Sequence, residues 1–131
     1  RPCAREIPIT PRIEHTNSMT WNGSVAECSG EDPFTVFVLP APVRVCAVRV
    51  RFRLVDSEPD SDKSPMQCFW AQTTRNVFDP VERNQTIMID TRMTNEHVET
   101  FWIGDTIDRF RIDPTTRPCR FELLEMTLIT Q

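Results

Sequence analysis

From Val48 to Leu54 the chain alternates without a break: Val48, Val50, Phe52 and Leu54 are apolar, while Arg49, Arg51 and Arg53 are cationic. Successive side chains of an extended strand point to opposite faces, so this period of two sends one set into a core and the other to water. A helix would scatter the same residues around its circumference. Val43 to Val55 therefore reads as a half-buried strand. Eleven prolines spread through the 131 residues interrupt nearly every helix-length window. The chain has to build its fold from strands.

Other segments agree. Phe34 to Leu39 is β-branched and aromatic, bracketed by Pro33 and Pro40, and apolar on both faces. Asp56 to Pro65 is a polar, turn-forming loop. Further strands are expected around Phe69-Trp70, Ile87-Met88-Ile89 and Phe101-Trp102, over Ile107 to Ile112, and from Cys119 to Thr130. In the last of these, Phe121 and Leu123 share one phase while Leu124, Met126 and Leu128 share the other, which predicts a β-bulge near Leu123-Leu124. About eight short strands separated by turn signals define an all-β, two-sheet antiparallel sandwich or barrel. Residues 1–18, with Pro2, Pro8 and Pro11 and no sustained periodicity, read as an extended linker or arm. Residues 19–131 read as the β-sandwich domain. The absence of an initiator Met suggests a piece of a longer chain.

The charge of −4 and pI of about 5.2 argue against nucleic acid as partner, because phosphate binding needs a basic surface. No apolar run approaches the roughly 18 residues that span a bilayer, so no direct membrane insertion of this segment is expected. Catalysis has no motif to stand on: G-x-S-x-G, a P-loop, G-x-G-x-x-G and H-E-x-x-H are all missing. The two histidines, His15 and His97, fall in the arm and at a strand start. The chain is read as no enzyme. Five cysteines form an odd set with no C-x-x-C. Cys46, Cys68 and Cys119 lie in apolar strands, where a free thiol behaves as a small hydrophobe; one disulfide among the five is the alternative in an oxidising compartment. Asn22-Gly23-Ser24 and Asn84-Gln85-Thr86 match the N-glycosylation acceptor pattern.

The stretch Ile107-Asp108-Arg109-Phe110-Arg111-Ile112-Asp113-Pro114, followed by Cys119 to Leu128, resembles the last two strands of galactose-binding-like β-sandwiches. Val45 to Leu54 and Phe69-Trp70 are similar to other strands of the same modules, which accompany carbohydrate-active and cell-envelope proteins. The likeness covers roughly Met19 to Ile129. It implies a jelly roll that acts as a non-catalytic accessory domain, a carbohydrate-binding module or a packing partner of its own parent chain. It also implies an extracytoplasmic or cell-envelope setting. The chain departs from the sugar-binding versions in having no tyrosine and only three glycines. In the turn, Asp113 is expected to accept backbone N–H groups two residues on while Pro114 ends the strand.

Sugar binding needs a flat aromatic surface beside planar polar groups. Trp21, Trp70 and Trp102 are the candidate platforms, weighed against the reading that tryptophans of a small sandwich belong to its core. Trp21 stands out for its polar surroundings, Asn17 to Gly23. Of the neighbours Phe69 and Trp70, and likewise Phe101 and Trp102, one must point away from the core. Arg49, Arg51 and Arg53 form a stripe suited to an acidic glycan, with cross-strand pairing to Glu99, Glu122 or Asp90 as the plainer reading; Arg109 and Arg111 are read in the same way. No cofactor is expected. A structural calcium is the one ion considered, where the first and last strands of such modules meet, with Glu27, Glu31, Asp32 and Glu125 as donors.

Overall fold

The computed structural model describes residues 2–30, 32–55, 63–73, 78 and 82–131. Among the described residues nine strands occur: β1 (Arg5–Ile9), β2 (Arg12–Asn17), β3 (Met19–Asn22), β4 (Val25–Cys28), β5 (Phe34–Val55), β6 (Lys63–Ala71), β7 (Asn84–Asp90), β8 (His97–Asp113) and β9 (Cys119–Thr130). All pairings are antiparallel.

Two strands do most of the architectural work. β5 is 22 residues long and β8 is 17, and each serves two layers. The first half of β5 pairs with β2 and with the second half of β8, which continues through β6 to β7. The second half of β5 pairs with the first half of β8 and with β9, whose far side receives β4 and β1, with β3 outermost. The register of β5 against β8 jumps between Val38 and Val43, across Pro40-Ala41-Pro42, where proline removes ladder donors and lets the strand turn from one layer into the other. The result is one curled sheet that packs on itself as a two-layer sandwich.

The alternation around Val48 lands as the sequence implies. Val48, Val50, Phe52 and Leu54 are fully buried, and the arginines between them face solvent. On the inner faces of the layers, neighbouring strands stack Phe52 on Phe121 at 5.1 Å and Phe37 on Phe110 at 5.4 Å. Met66, Trp70, Phe101 and Met126 complete the same core. Removing a ring such as Phe52 would cost about 3–5 kcal/mol. The bulge in β9 is also where it was expected: Arg51 pairs with Glu125 and Phe52 with Leu123, which leaves Leu124 as the extra residue.

Three expectations are corrected. Residues 5–17 are extended, but they are strands of the sandwich rather than an arm leading into it. β1 pairs with β9 and β2 with β5, and Ile7 and Ile9 pack on the core; prolines at 8 and 11 disguise the pattern. Cys46 is no free thiol, because it forms a disulfide with Cys3 that fastens the chain's start to β5. Cys28, Cys68 and Cys119 are free and buried. Asp113 accepts from Nε and Nη2 of Arg111's fork, each at 2.7 Å, in place of the expected turn N–H groups. Of the polar loop, residues 56–62 lie outside the described residues, and Ser64 and Pro65 already belong to β6. No helix among the described residues is long and apolar enough to cross a membrane.

Candidate functional site

Along the first half of β8 the alternation places His97 and Phe101 inward, and Val98 and Trp102 outward. Against β5, Ala47 pairs with Trp102 and Val45 with Asp105, so three steps on β8 oppose two on β5. The extra residue lies beside Gly104, whose φ of 62° is in the left-handed region where glycine carries no steric penalty. This bulge and the small Ala47 opposite leave the Trp102 ring bare, 59% exposed. Its backbone is held by a 2.6 Å hydrogen bond from the Trp102 N–H to Gln85 Oε1 of β7.

A groove of about 320 Å³ opens beside the ring, lined by Cys3, Arg44, Cys46, Trp102, Gly104 and Gln131 among others. The Cys3–Cys46 bond ties its two walls together. The described lining residues include no Asp, Glu or His. The groove does offer an apolar indole plane, the guanidinium donors of Arg44, and the donor and acceptor of Gln131.

The other sequence candidates are placed apart from it. Trp70 is buried on the inner face of β6, and its neighbour Phe69 takes the outer face. Trp21 is half-buried, packs edge-on against Phe37 and Phe121, and gives its indole N–H to Thr35 Oγ1 at 3.0 Å. One flank of it lines a second cleft, of about 340 Å³, with Ile9, Pro11, Ser24, Leu124 and Met126. Arg49 pairs with Glu6 at 2.6 Å, and Arg51 with Glu96 at 3.0 Å and Glu125 at 3.9 Å. The arginine stripe is thus knitted to carboxylates of β1, β9 and the segment before β8, partners other than those the sequence suggested; Arg53 does reach Glu122, at 2.9 Å.

Each of the three described calcium donors faces an arginine. Glu27 pairs with Arg120, Glu125 with Arg51, and Asp32 approaches Arg111; Glu31 lies outside the described residues. Among the described residues no three His, Cys, Asp or Glu side chains gather as a metal site. His97 is a core residue, stacked on Phe52 at 4.9 Å with a ring nitrogen 3.0 Å from the Met93 carbonyl. His15 lies against Phe34 on the opposite layer.

That layer carries a cluster that sequence reasoning did not assemble. The Arg111 guanidinium sits 3.7 Å from the Phe34 ring centroid and 4.9 Å from that of Phe69, and it is gripped by Asp113. Phe69 is only 8% exposed as a result. Burial raises the Asp113 carboxyl above its ordinary range, and Arg111 opposes that shift in part. The alternation Arg109-x-Arg111-x-Asp113 was the available signal. What it lacked was the register that sets Arg111 opposite Phe69 on β6 and Val36 on β5.

Comparison with solved structures identifies the class of fold. A low-affinity xylan-binding module, CBM86, from the gut symbiont Roseburia intestinalis superposes with a TM-score of 0.58 at 12% identity, covering 97% of this chain and 95% of that one. A substituted variant of a family 29 carbohydrate-binding module gives 0.62 at 8% identity, covering 95% and 91%. A family 32 module of AlyQ, in complex with an unsaturated mannuronic acid, gives 0.55 at 12% identity, covering 94% and 95%. No protein-family model and no curated protein matches the chain. The chain has the β-sandwich fold of carbohydrate-binding modules. At such identities the likeness speaks for the fold, and the ligand has to be argued from the chain's own residues.

Proposed function

We propose that this domain is a non-catalytic glycan-binding module. In this reading Trp102 is the platform on which a sugar ring stacks, and Arg44 and Gln131 hydrogen-bond its hydroxyls. The observation that carries the reading is the bare Trp102 indole beside a groove lined by planar polar groups. The apolar face of a pyranose fits an aromatic plane, and its equatorial hydroxyls suit amide and guanidinium partners at the rim. The fold shared with carbohydrate-binding modules supports it. The disulfide supports an extracytoplasmic setting, where such bonds form and persist.

The test is retention of the purified domain on immobilised neutral and acidic polysaccharides, with calcium and with chelator. Retention by at least one polysaccharide is expected, unaffected by the chelator and weakened about 10-fold or more in Trp102→Ala. Retention that survives Trp102→Ala but is lost in Trp21→Ala would move the site to the second cleft.

A second reading has an observation of its own. Cys3 and Gln131 both line the Trp102 groove, so a neighbouring segment of a longer chain would emerge beside it and could pack on the exposed ring. A folded domain retained by no polysaccharide would favour that packing role over glycan binding.

A further inference from the structure

We propose that Cys28 and Cys119 are a second disulfide site, which closes across β4 and β9 under the same oxidising conditions that join Cys3 to Cys46. The two residues are direct partners in the β4–β9 ladder. Their position within it follows from one hydrogen bond. The Leu123 N–H donates to the Ser24 carbonyl at 2.8 Å, which makes Ser24 and Leu123 a hydrogen-bonded pair. Antiparallel ladders alternate, so Ala26 with Phe121, and then Cys28 with Cys119, are hydrogen-bonded pairs as well. Such pairs hold their Cα atoms about 5.5 Å apart, in the middle of the roughly 4.4–6.8 Å that disulfides span.

The side chains also face each other. Both point into the core from directly opposed positions, Cys28 at 5% and Cys119 at 6% exposure. Each thiol perturbs the other: Cys28 is pushed up, and Cys119 is held below the ordinary thiol range. The third free cysteine provides the contrast. Cys68 has Ile112 and Gln85 as its ladder partners, with no thiol opposite, and burial pushes its pKa up.

The chemistry is ordinary thiol–disulfide exchange with a small-molecule disulfide such as oxidised glutathione. The Cys119 thiolate attacks that disulfide, forms a mixed disulfide and releases one thiol of the oxidant. Cys28 then loses its proton and attacks the Cys119 sulfur, releasing the second. Two protein thiols are oxidised to one disulfide, one oxidant disulfide is reduced to two thiols, and the electrons balance. Because both sulfurs are buried, attack occurs while the β3–β4 hairpin is undocked, during folding or local opening. Closure then fastens to β9 the four-residue strand β4, together with the hairpin that carries Trp21.

The test is refolding of the reduced, denatured chain in a glutathione redox mixture, made more oxidising until the Cys3–Cys46 peptide pair appears in the digest. At that point the expected result is one alkylatable cysteine per chain, Cys68, and a linked pair of Cys28 and Cys119 peptides. Closure of Cys3–Cys46 with Cys28 and Cys119 still alkylated would overturn the proposal, and so would a Cys28–Cys68 or Cys68–Cys119 link. A Cys3→Ser/Cys46→Ser variant gives an independent reading. Its melting midpoint should fall by about 10 °C on adding reductant if the second bond exists, and should not move if it does not.

Discussion

An arginine beside an aromatic ring means opposite things on the two layers of this sandwich. On the layer of β2, β6 and β7, Arg111 lies over Phe34 and Phe69 and shields them, while its guanidinium is committed to Asp113. On the other layer Arg44 borders a groove with Trp102, and the ring keeps its face to solvent. A shielded ring contributes to the fold and has nothing left to offer a ligand. A bare ring contributes little to the fold, because its apolar area stays wet, and that same area becomes available on binding. The pair separates a structural cluster from a recognition site, although both contain the same residue types.

The comparison breaks most visibly at Arg111. Replacing it with Met strips a mostly buried carboxylate of its partner and uncovers two rings. Discounted for the 21% exposure of the Arg111 side chain, the expected loss is about 2–4 kcal/mol in denaturant unfolding. Trp102→Ala should leave unfolding within about 0.5 kcal/mol of the parent while reducing polysaccharide retention. If Arg111→Met kept full stability and lost retention, the roles assigned to the two clusters would have to be exchanged.

Much of this fold was legible because alternation is local. Val48 to Leu54 declares its own buried face, and the phase change at Leu123-Leu124 declares the bulge. The first four strands were not legible. They are four to six residues long, and β2 is almost wholly exposed, so its residues carry no hydrophobic rhythm and are held by pairing to β5. The continuity of β8 through Gly104 was hidden for a related reason, since a left-handed glycine reads as a break yet here only shifts the register. The site divides along the same line. That one of Phe101 and Trp102 must face outward follows from the strand itself. Which one does so, and that Cys3, Arg44 and Gln131 share a groove with the ring, depends on pairings between segments far apart in sequence. Arg111 between Phe34 and Phe69 is likewise a product of register.

Gly104 sharpens the account of the bare ring. A Cβ added there would meet nothing within 4 Å, so Gly104→Ala tests the backbone conformation alone. A left-handed alanine costs about 1 kcal/mol, and relief of that strain within the bulge would shift the neighbouring Trp102. The expected outcome is a loss of about 1 kcal/mol in unfolding together with weaker retention, and a smaller loss in Gly104→Asn because asparagine tolerates this region better. An unchanged affinity would show that the bulge does not aim the ring.

The smallest effect distinguishes the two layers by the sign of their proton linkage. Glu6, beside Arg49, is held below the ordinary carboxylate range by that hydrogen bond and charge. Its folded form binds the proton less readily than its unfolded form, so the stability it contributes is present above the ordinary glutamate pKa and lost as pH falls through the lowered one. Asp113 is raised, chiefly by burial, and its linkage runs the other way. Folding gains from its protonation as pH falls through the raised value, and that gain is complete once pH lies below the ordinary aspartate pKa. Carboxyl-carbon NMR titration should therefore find Glu6 below and Asp113 above their ordinary values. In acid melts, Glu6→Gln should flatten the loss of stability at the lowest pH, and Asp113→Asn should steepen the early loss between the raised Asp113 value and the ordinary aspartate pKa. If Asp113 titrated below its ordinary value, the Arg111 pairing would outweigh burial, and the stack would be an ion pair first and a packing element second.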